Sequence, residues 1–283
     1  MTWEQLMRRG EQRLLTAGID DAAVDAWLLL SSLTGWRRAE YFLHMSETIV
    51  SKETKDCYEA LIAKRANRIP VQYIIGKQEF YGRDFYVDER VLIPRQETEL
   101  LVSWAVSSLP KGARVLDLCT GSGCIAVSLK LERPDLQVAA ADLSEQALAV
   151  AMKNAACYGA EIEWLQGDLL EPVQGMFDSI LSNPPYIATD ALSATAPEVA
   201  GHEPLMALDG GADGLNFYRK IAENIGMYLK VGGTLFLEIG YDQGNAVQQL
   251  LAGSGFSAVE CRTDYAGLDR MVRGVWNGRK YRV

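Results

Sequence analysis

The sequence predicts an α/β protein in which an N-terminal helical bundle precedes a β-hairpin and a domain with a seven-stranded mixed sheet. Two patterns predict this class. Up to about residue 75, apolar residues recur at helical spacing, whereas from about residue 110 short apolar runs alternate with helical segments. Such alternation is typical of a mostly parallel sheet with helices on both faces. We therefore expect three parts, covering residues 1–77, 78–94 and 95–283.

The N-terminal part is expected to be helical. A helix fits Ala22–Leu33, where Asp20 or Asp21 can cap the first turn. Another helix fits Lys52–Arg68, and Pro70 closes it because proline does not continue a helix. The apolar stripes of these helices predict a core of their own.

The hairpin is indicated by aromatic residues grouped around a glycine. Phe80 and Phe85 flank Gly82, which suits two strands joined by a turn. A helix is then expected from Arg95, directly after Pro94, to Ser108.

The rest of the chain alternates between strands and helices. Strands are predicted at Arg114–Leu118, Gln137–Ala141, Ile162–Gln166, Ser179–Ser182, Thr234–Ile239, Ala258–Thr263 and Met271–Trp276. Helices are predicted at Cys124–Leu131, Glu145–Tyr158, Gly214–Leu229 and Gln243–Leu251. Only residues 264–270 join the last two strands, too few for a crossover helix, so these strands should pair antiparallel. Residues 187–213 show little pattern, and a connection of that length is usually functional or mobile.

Composition and charge disfavour several functional classes. With 48% hydrophobic and 23% charged residues the chain fits a globular protein, and its net charge of −9 disfavours a direct nucleic-acid partner. No run approaches the roughly 18 apolar residues that a membrane span needs, so we expect no membrane contact. The 5 cysteines, an odd number at irregular spacing, indicate reduced thiols in a cytoplasmic protein. With 2 histidines and no Cys-x-x-Cys pair, we expect no metal.

A nucleotide-type site is predicted where the first strand of the sheet runs into a glycine turn and a helix, over Val115–Ala126. Gly121 and Gly123 let the backbone approach a ligand, and the helix start offers free N–H groups. Asp142 ends the next strand, where a carboxylate can accept hydrogen bonds from ribose hydroxyls. The alternative is a strand–turn–helix whose glycines serve only its geometry.

The third strand adds a further acidic end. Asp168 could accept a hydrogen bond from an adenine amino group, and Leu169 could pack on the ring. Gly121-x-Gly123-x-x-Ala126 also fits a dinucleotide-binding turn, so an NAD-dependent oxidoreductase is an alternative. The antiparallel end of the sheet and Asp168 are not part of that pattern.

The run Ser182-Asn183-Pro184-Pro185-Tyr186 follows the fourth strand and carries the predicted chemistry. Two prolines stiffen the turn and fix where the Asn183 side chain and the Pro184 carbonyl point. These two acceptors can hold both N–H bonds of a planar amide or aryl amine and turn its lone pair toward a methyl sulfonium. Tyr186 offers a flat face to the planar group. An ordinary Asn-Pro turn is the alternative.

Asn183 to Tyr186 is similar to the signature of amino-group methyltransferases, and the polar strand ends resemble those of class I methyltransferases that use S-adenosyl-L-methionine (AdoMet). Gly76–Val87 and Val91–Glu99 look like the linker hairpin of bacterial protein-glutamine methyltransferases, and Glu203–Leu208 and Asp264–Arg270 resemble later stretches of them. Over nearly its whole length the chain resembles the release factor glutamine methyltransferase family (HemK/PrmC type). These enzymes methylate N5 of the glutamine in the Gly-Gly-Gln loop of class 1 peptide chain release factors.

The resemblance implies a Rossmann-like fold and assigns residue roles. AdoMet would be bound by Cys119, Thr120, Gly121, Ser122, Gly123, Asp142, Asp168, Leu169 and Asn183. Substrate would be bound by Asn183, Pro184, Pro185, Tyr186, Arg95 and Glu97, and catalysis would depend on Asn183, Pro184 and Tyr186. The family often has an aromatic residue in place of Leu169 and glycine in place of Cys119. The helical part would dock the release factor, and the enzyme would act as a monomer in the cytoplasm.

Other substrates stay open. The run from Arg95 to Glu97 favours the release-factor enzyme over its relative that methylates a glutamine of a large-subunit ribosomal protein. An adenine-N6 DNA methyltransferase shares the Asn-Pro-Pro-Tyr chemistry but must flip a base and hold a duplex, which the net charge of −9 disfavours. A non-catalytic module that retains AdoMet is a further alternative.

Overall fold

The computed structural model describes residues 1–49 and 51–278. The described residues form α-helices α1 (Trp3–Thr16), α2 (Ala22–Thr34), α3 (Arg38–His44), α4 (Lys52–Ala66), α5 (Val71–Ile75), α6 (Gln96–Ser108), α7 (Cys124–Glu132), α8 (Glu145–Tyr158), α9 (Pro197–His202), α10 (Asn216–Asn224) and α11 (Gly244–Gly253). They form strands β1 (Lys77–Phe80), β2 (Arg83–Tyr86), β3 (Arg114–Leu118), β4 (Gln137–Asp142), β5 (Glu163–Gln166), β6 (Phe177–Ser182), β7 (Leu229–Glu238), β8 (Phe256–Thr263) and β9 (Asp269–Trp276). The predicted α/β class with a seven-stranded mixed sheet is confirmed.

The described chain divides into two compact units. The helical unit contains the chain up to Lys77 together with Ala196–His202, and the sheet unit contains Gln78–Thr195 and the chain from Glu203 onward. Residues 279–283 of the predicted third part lie outside the described residues. Within the described ranges, no helix combines the length and the apolar character needed to cross a membrane.

The helical unit has its own core and a buried ion-pair chain. Leu14 of α1 and Leu30 of α2 have no exposed surface. Beside them, Arg65 Nε donates to Asp25 Oδ2 at 2.6 Å, and Arg65 Nη1 donates to Glu198 Oε1 at 2.9 Å. Burial is the largest influence on Asp25 and raises the pKa of its carboxyl, while the Arg65 bond opposes this rise. The pairing therefore ties α9 to α4 and α2 within this unit.

Two helix ends differ in detail from the sequence prediction. Helix α2 begins at Ala22, as predicted, but the side chain of Asp21 makes no capping hydrogen bond. Helix α4 ends at Ala66, before the predicted Arg68, because Arg68 takes a left-handed backbone with a φ of 68°. The Arg68 guanidinium donates to the carbonyls of Ala17 and Gly18, at 3.0 and 2.9 Å, which holds the chain in that turn.

The predicted hairpin consists of β1 and β2 in a two-stranded sheet. Its two-residue turn has positive φ at both Tyr81 (52°) and Gly82 (71°), the backbone that tight hairpins with right-handed twist require. Phe80 and Phe85 are fully buried on the same side. The backbone N–H of Tyr81 donates to Glu99 Oε1 of α6 at 2.9 Å, which fixes the turn to the sheet unit.

The large sheet has the strand order β5-β4-β3-β6-β7-β9-β8. The strands from β5 to β7 are parallel, and β9 lies antiparallel between β7 and β8. The antiparallel pairing predicted for the last two strands is thus confirmed. Strand β7 starts at Leu229, earlier than the predicted Thr234, because Leu229 already pairs with Phe177 of β6. The helix predicted up to Leu229 instead ends at Asn224, and Ile225–Met227 forms a 3₁₀ turn.

The register of the sheet aligns the strand ends that matter for function. Leu118 of β3 pairs with Ala141 of β4 on one side and with Ser182 of β6 on the other. The chain moves outward from β3 to β4 and β5, then returns to build β6 and β7 on the opposite side. The carboxyl ends of β3 and β6 therefore frame a topological switch point, where ligands of open α/β sheets bind.

Residues 187–213, which lack a clear sequence pattern, are ordered by short elements. One 3₁₀ helix, Thr189–Ala194, precedes α9 in the sequence, and another, Leu205–Ala207, follows it. In the sheet unit the base of this segment is closed by backbone bonds: Ile187 N–H donates to Leu208 O at 3.0 Å, and Gly210 N–H donates to Ile187 O at 2.8 Å. The sequence shows little pattern here because these elements have too few residues to show a period.

Candidate active site

A cavity of about 570 Å³ opens at the switch point, and its lining belongs to the sheet unit. Of the predicted site residues, it is lined by Cys119, Thr120, Gly121, Ser122, Asp142, Asp168, Leu169, Asn183, Pro185 and Arg95. The cavity lining does not include Gly123, Pro184, Tyr186 or Glu97. The structure therefore brings the glycine turn and Asn183 to one cavity.

The glycine turn is tied to the neighbouring strand by Asp142. The Gly121 N–H donates to Asp142 Oδ2 at 2.8 Å, and the Ser144 N–H donates to Oδ1 at 2.9 Å. Burial raises the pKa of Asp142, and these backbone bonds oppose the rise. Each carboxylate oxygen keeps a further lone pair for a ligand hydroxyl.

Asp117 supports the same turn from inside the sheet. Its Oδ2 accepts from Thr120 Oγ1 at 2.6 Å and from the Ala126 N–H at 3.1 Å. Its Oδ1 is buried and has no hydrogen-bond partner. Burial raises the pKa of Asp117 to about 7. The turn thus rests on an unusually placed carboxyl that the sequence prediction overlooked.

Gly123 allows the close approach of helix α7 to helix α8. Its φ is +79°, and a Cβ at this position would lie 3.0 Å from Ala151 Cβ and 3.2 Å from Ala151 Cα. Gly121 also has a positive φ, +54°, but nothing lies within 4 Å of its would-be Cβ. Gly123 therefore serves packing, whereas Gly121 faces the cavity.

Three further predicted residues line the cavity. Asp168 is half-exposed, with Oδ2 at 3.8 Å from Lys220 Nζ. Leu169 takes a left-handed backbone with a φ of 49°, which turns the chain at the end of β5. Burial raises the pKa of the Cys119 thiol far above its usual value, so the thiol stays protonated and is a poor nucleophile.

The Asn-Pro-Pro-Tyr turn is anchored at both ends. Asn183 Nδ2 donates to Thr98 Oγ1 at 3.3 Å, and Gln243 Nε2 donates to the Tyr186 carbonyl at 2.9 Å. The Tyr186 ring packs against the core of the sheet, and burial raises the pKa of its phenol. This tyrosine is therefore held behind the turn and is no proton donor at neutral pH.

Arg95 and Glu97, predicted together, have different surroundings. Arg95 Nη2 donates to Glu203 Oε1, and the Ile93 N–H donates to Glu203 Oε2 at 3.2 Å. The Glu203 side chain is 1% exposed. Arg95 lines the cavity and Glu97 does not. Glu203 thus joins the Ile-Pro-Arg run to the Glu-Pro-Leu-Met run, two stretches far apart in the sequence.

Sequence reasoning missed Thr98, Glu238 and Glu203. Thr98 Oγ1 donates to Glu238 Oε2 at 2.6 Å, and Glu238 is fully buried, which raises its pKa to about 7. A signal for Glu238 was present, since it is a carboxylate at the end of an apolar strand, the same feature that singled out Asp142. Thr98 and Glu203 lie in two of the stretches that resemble the family, but no local pattern distinguished either residue from its neighbours there.

No group of three or more histidine, cysteine, aspartate or glutamate side chains suited to a metal ion occurs among residues 1–49 and 51–278. The polar groups of the cavity include backbone N–H groups, carboxylates, hydroxyls, the guanidinium groups of Arg90 and Arg95, and one carboxamide, that of Asn183. This set suits a nucleoside ligand next to an amide.

Comparison with known proteins gives the family. A family model described as PrmC N-terminal domain matches residues 5–76, and one described as methyltransferase small domain matches residues 96–200. Among solved structures, a methyltransferase from Pyrococcus furiosus is 18% identical with a TM-score of 0.56, covering 76% of this chain and 99% of that chain. The Thermus thermophilus 16S rRNA methyltransferase RsmC, in complex with AdoMet and guanosine, is 18% identical with a TM-score of 0.52, covering 71% and 50%. These likenesses show the class I methyltransferase fold.

Curated relatives are more similar. The release factor glutamine methyltransferase of Geobacter sulfurreducens is 42% identical over 262 residues, covering 92% of both chains. That of Cereibacter sphaeroides is 45% identical over 268 residues, covering 94% of this chain and 95% of the relative. An oxidoreductase and a non-catalytic module are thereby set aside. With the glycine turn and Asn183 at one cavity, and this identity over 92% and 94% of the chain, the protein belongs to the release factor glutamine methyltransferase family.

Proposed function

We propose that this enzyme transfers a methyl group from AdoMet to amide N5 of the glutamine in the Gly-Gly-Gln motif of class 1 peptide chain release factors. The observation that carries the proposal is the placement of Asn183. Its carboxamide lines the same cavity as the glycine turn and Asp142, one strand away from β3. A planar amide held by Asn183 would therefore reach a cofactor held by the turn.

The donor and acceptor set fits AdoMet. Asp142 offers lone pairs to ribose hydroxyls, Leu169 and Leu143 offer apolar surface to adenine, and Asp168 can accept from its amino group. The buried carboxyl of Asp117, whose Oδ1 has no hydrogen-bond partner, holds the glycine turn through Oδ2. When bound, AdoMet supplies an electrophilic methyl group on a sulfonium.

Asn183 and Pro184 would orient the nucleophile. Asn183 Oδ1 and the Pro184 carbonyl each accept one N–H bond of the glutamine amide, which directs the nitrogen lone pair at the methyl group. As the N–C bond formed and the S–C bond of the sulfonium broke, leaving S-adenosyl-L-homocysteine, the nitrogen would become positive, and both acceptors would stabilise that charge. The nitrogen then releases one proton to solvent, which restores a neutral secondary amide. Pro185 lines the wall of this slot, and Tyr186 supports the turn from behind.

The helical unit would dock the release factor, and two apolar residues support this role. Phe42 and Leu43 on α3 are 64% and 76% exposed, although both are large hydrophobic side chains. A glutamine alone offers little contact area, so a protein substrate needs a second surface. We further propose that the enzyme acts as a monomer in the cytoplasm, where its 5 cysteines stay reduced.

The docking role can be tested in the full chain by exchanging Phe42 and Leu43 together for serine. The KM for release factor should rise about tenfold, and the affinity for AdoMet should stay within twofold. Val231→Ser, which changes a 72% exposed valine of the sheet unit, is the control. An unchanged KM in the double variant would remove α3 from the docking surface.

The substrate is tested with methyl-labelled AdoMet and three acceptors: a release factor, its variant with Gly-Gly-Ala in place of Gly-Gly-Gln, and duplex DNA. We expect label on the first acceptor alone. Label on DNA, or on both release factors alike, would refute the substrate assignment. Label on none of them would favour a glutamine of a large-subunit ribosomal protein as the substrate.

A further inference from the structure

A buried polar chain runs from Asn183 to the neighbouring strand. Ser182 of β6 pairs with Leu237 of β7, so Asn183 and Glu238 follow at one level of the sheet. Thr98, in the first turn of α6, lies between their side chains. Asn183 Nδ2 donates to Thr98 Oγ1 at 3.3 Å, and Thr98 Oγ1 donates to Glu238 Oε2 at 2.6 Å. Thr98 and Glu238 are 2% and 1% exposed, so water competes little for these bonds.

The hydrogen bonds of this chain have a fixed direction. An ionised carboxylate only accepts, so the single hydroxyl proton of Thr98 points at Glu238. The Thr98 oxygen then offers only lone pairs to Asn183, and the carboxamide must turn its NH₂ group toward them. The opposite flip would place Asn183 Oδ1 against those lone pairs with no proton between the two oxygens.

We propose that Thr98 and Glu238 are positioning residues that fix the flip of the Asn183 carboxamide, so that Asn183 Oδ1 faces the substrate amide. The inference rests on the proposed glutamine methylation. In this flip Oδ1 accepts an N–H bond of the glutamine. In the other flip the NH₂ groups of Asn183 and of the glutamine would face each other, and the nitrogen lone pair would lose its orientation.

The charge of Glu238 controls the direction of the hydrogen bonds that link Glu238, Thr98 and Asn183. Burial raises the pKa of Glu238 to about 7, so its ionisation falls within the working pH range. When Glu238 is protonated it can donate to Thr98, and the Thr98 proton is free to bond Asn183 Oδ1 in competition with substrate. The charged and titratable groups that face Glu238 are Arg95 at the N-cap of α6, Glu97 of α6, Cys124 of α7, Arg270 of β9, Tyr218 of α10 and Tyr186 after β6. The two arginines favour the carboxylate, and Glu97 disfavours it.

The experiment compares Thr98→Val, which keeps the shape and removes the hydroxyl, with Thr98→Ser, which keeps the hydroxyl. With release factor and AdoMet both saturating, kcat of Thr98→Val should fall about 30- to 100-fold. Thr98→Ser should stay within about threefold of the wild type. The affinity for AdoMet should change less than twofold in both variants. Thr54→Val is the matched control, because Thr54 is likewise the third residue of its helix, α4.

The pH profile of Glu238→Gln gives a second, independent readout. Ionisation of a group with a pKa of about 7 rises about tenfold between pH 6 and pH 8. The ratio of wild-type kcat to variant kcat should therefore rise about tenfold over this range, since the glutamine does not ionise. A purely structural role of Glu238 would leave this ratio constant with pH.

The outcomes separate the inference from the proposed function. Wild-type enzyme that fails to label the release factor refutes the proposed function, whatever the variants do. With an active wild type, a Thr98→Val kcat within threefold, a Thr98→Ser loss as large as that of valine, or a pH-independent Glu238→Gln ratio overturns the positioning role. If Thr98→Val does not fold, the kcat of Thr98→Ser and the pH dependence of the ratio of wild-type kcat to Glu238→Gln kcat decide whether the positioning role holds.

Discussion

Two turns at the carboxyl end of the sheet, after β3 and after β6, are held in place by different means. The glycine turn is held by bonds between residues close in sequence: Asp117 with Thr120 and Ala126, and Gly121 with Asp142, at separations of 3, 9 and 21 residues. The Asn-Pro-Pro-Tyr turn is held by partners far away. Asn183 bonds a residue 85 positions distant, and Tyr186 bonds one 57 positions distant.

We propose that this difference separates cofactor binding from turnover. The side proposed to bind AdoMet presents backbone N–H groups and the carboxylate of Asp142, which would act on a ligand by holding it. The substrate side presents a single carboxamide, whose orientation decides whether the nucleophile is aligned. We therefore expect variants of the glycine turn to change the affinity for AdoMet, and variants of the second turn to change kcat.

The largest effect is expected for Asn183→Ala. Loss of one aligned acceptor in this cavity should lower kcat about 10³-fold, because the nucleophile loses both orientation and charge stabilisation. Single-turnover methyl transfer to a release factor measures this. The affinity for AdoMet should weaken less than tenfold. Asn224→Ala, an exposed asparagine on α10, is the control. A main loss in AdoMet affinity would erase the distinction between the two turns.

The matching change on the cofactor side is Asp142→Asn. The asparagine NH₂ group cannot accept a hydrogen bond, so either the Gly121 N–H or the Ser144 N–H loses its acceptor. A ribose hydroxyl would also lose the charged carboxylate that accepts its hydrogen bond. The Kd for AdoMet should rise about 10- to 100-fold, as measured by calorimetry. At saturating AdoMet, kcat should stay within about threefold. The exposed Asp56→Asn in α4 should leave both values unchanged, and a fall in kcat alone for Asp142→Asn would contradict the assignment.

The same difference explains which parts of the site the sequence predicts. Strand–turn–helix patterns are local, so the ends of β3, β4 and β6 and the residues Gly121, Asp142 and Asn183 follow from periodicity and motif. Thr98 and Glu238 meet only after the sheet has assembled, 140 positions apart, and no local pattern encodes that pairing. The inclusion of Ala196–His202 in the helical unit is likewise a tertiary fact, since only the fold brings Glu198 to Arg65.

A third prediction concerns the stability cost of the buried carboxyl on the substrate side. The folded-state pKa of Glu238, about 7, lies above its usual value of 4.5, so the folded protein holds the proton to higher pH than the unfolded chain. The stability that this carboxyl contributes is therefore lost as the pH rises from about 4.5 through about 7. Relative to Glu238→Gln, the wild-type free energy of unfolding should fall on the order of 2 kcal/mol between pH 5 and pH 8. Asp117 is present in both proteins and cancels.

Urea titrations at pH 5, 6, 7 and 8 measure this difference. Glu171→Gln, an exposed glutamate, should show no such trend. A constant difference between wild type and Glu238→Gln would mean that Glu238 ionises freely in the fold. The carboxylate would then be solvated, and the direction of the Thr98 hydrogen bond would not depend on it.

The smallest expected difference is the one between the two glycines of the turn after β3. Alanine in a left-handed backbone costs roughly 1–2 kcal/mol, and this cost applies at both Gly121 and Gly123. At Gly123 the added methyl group would also lie 3.0 Å from Ala151 Cβ, whereas at Gly121 it meets nothing within 4 Å. The free energy of unfolding of the cofactor-free protein should therefore fall about twice as far for Gly123→Ala as for Gly121→Ala. Equal losses would mean that α7 and α8 move apart at little cost. In that case the close approach at Ala151 would not be what requires glycine at position 123, and the cofactor turn would owe its glycines to backbone conformation alone.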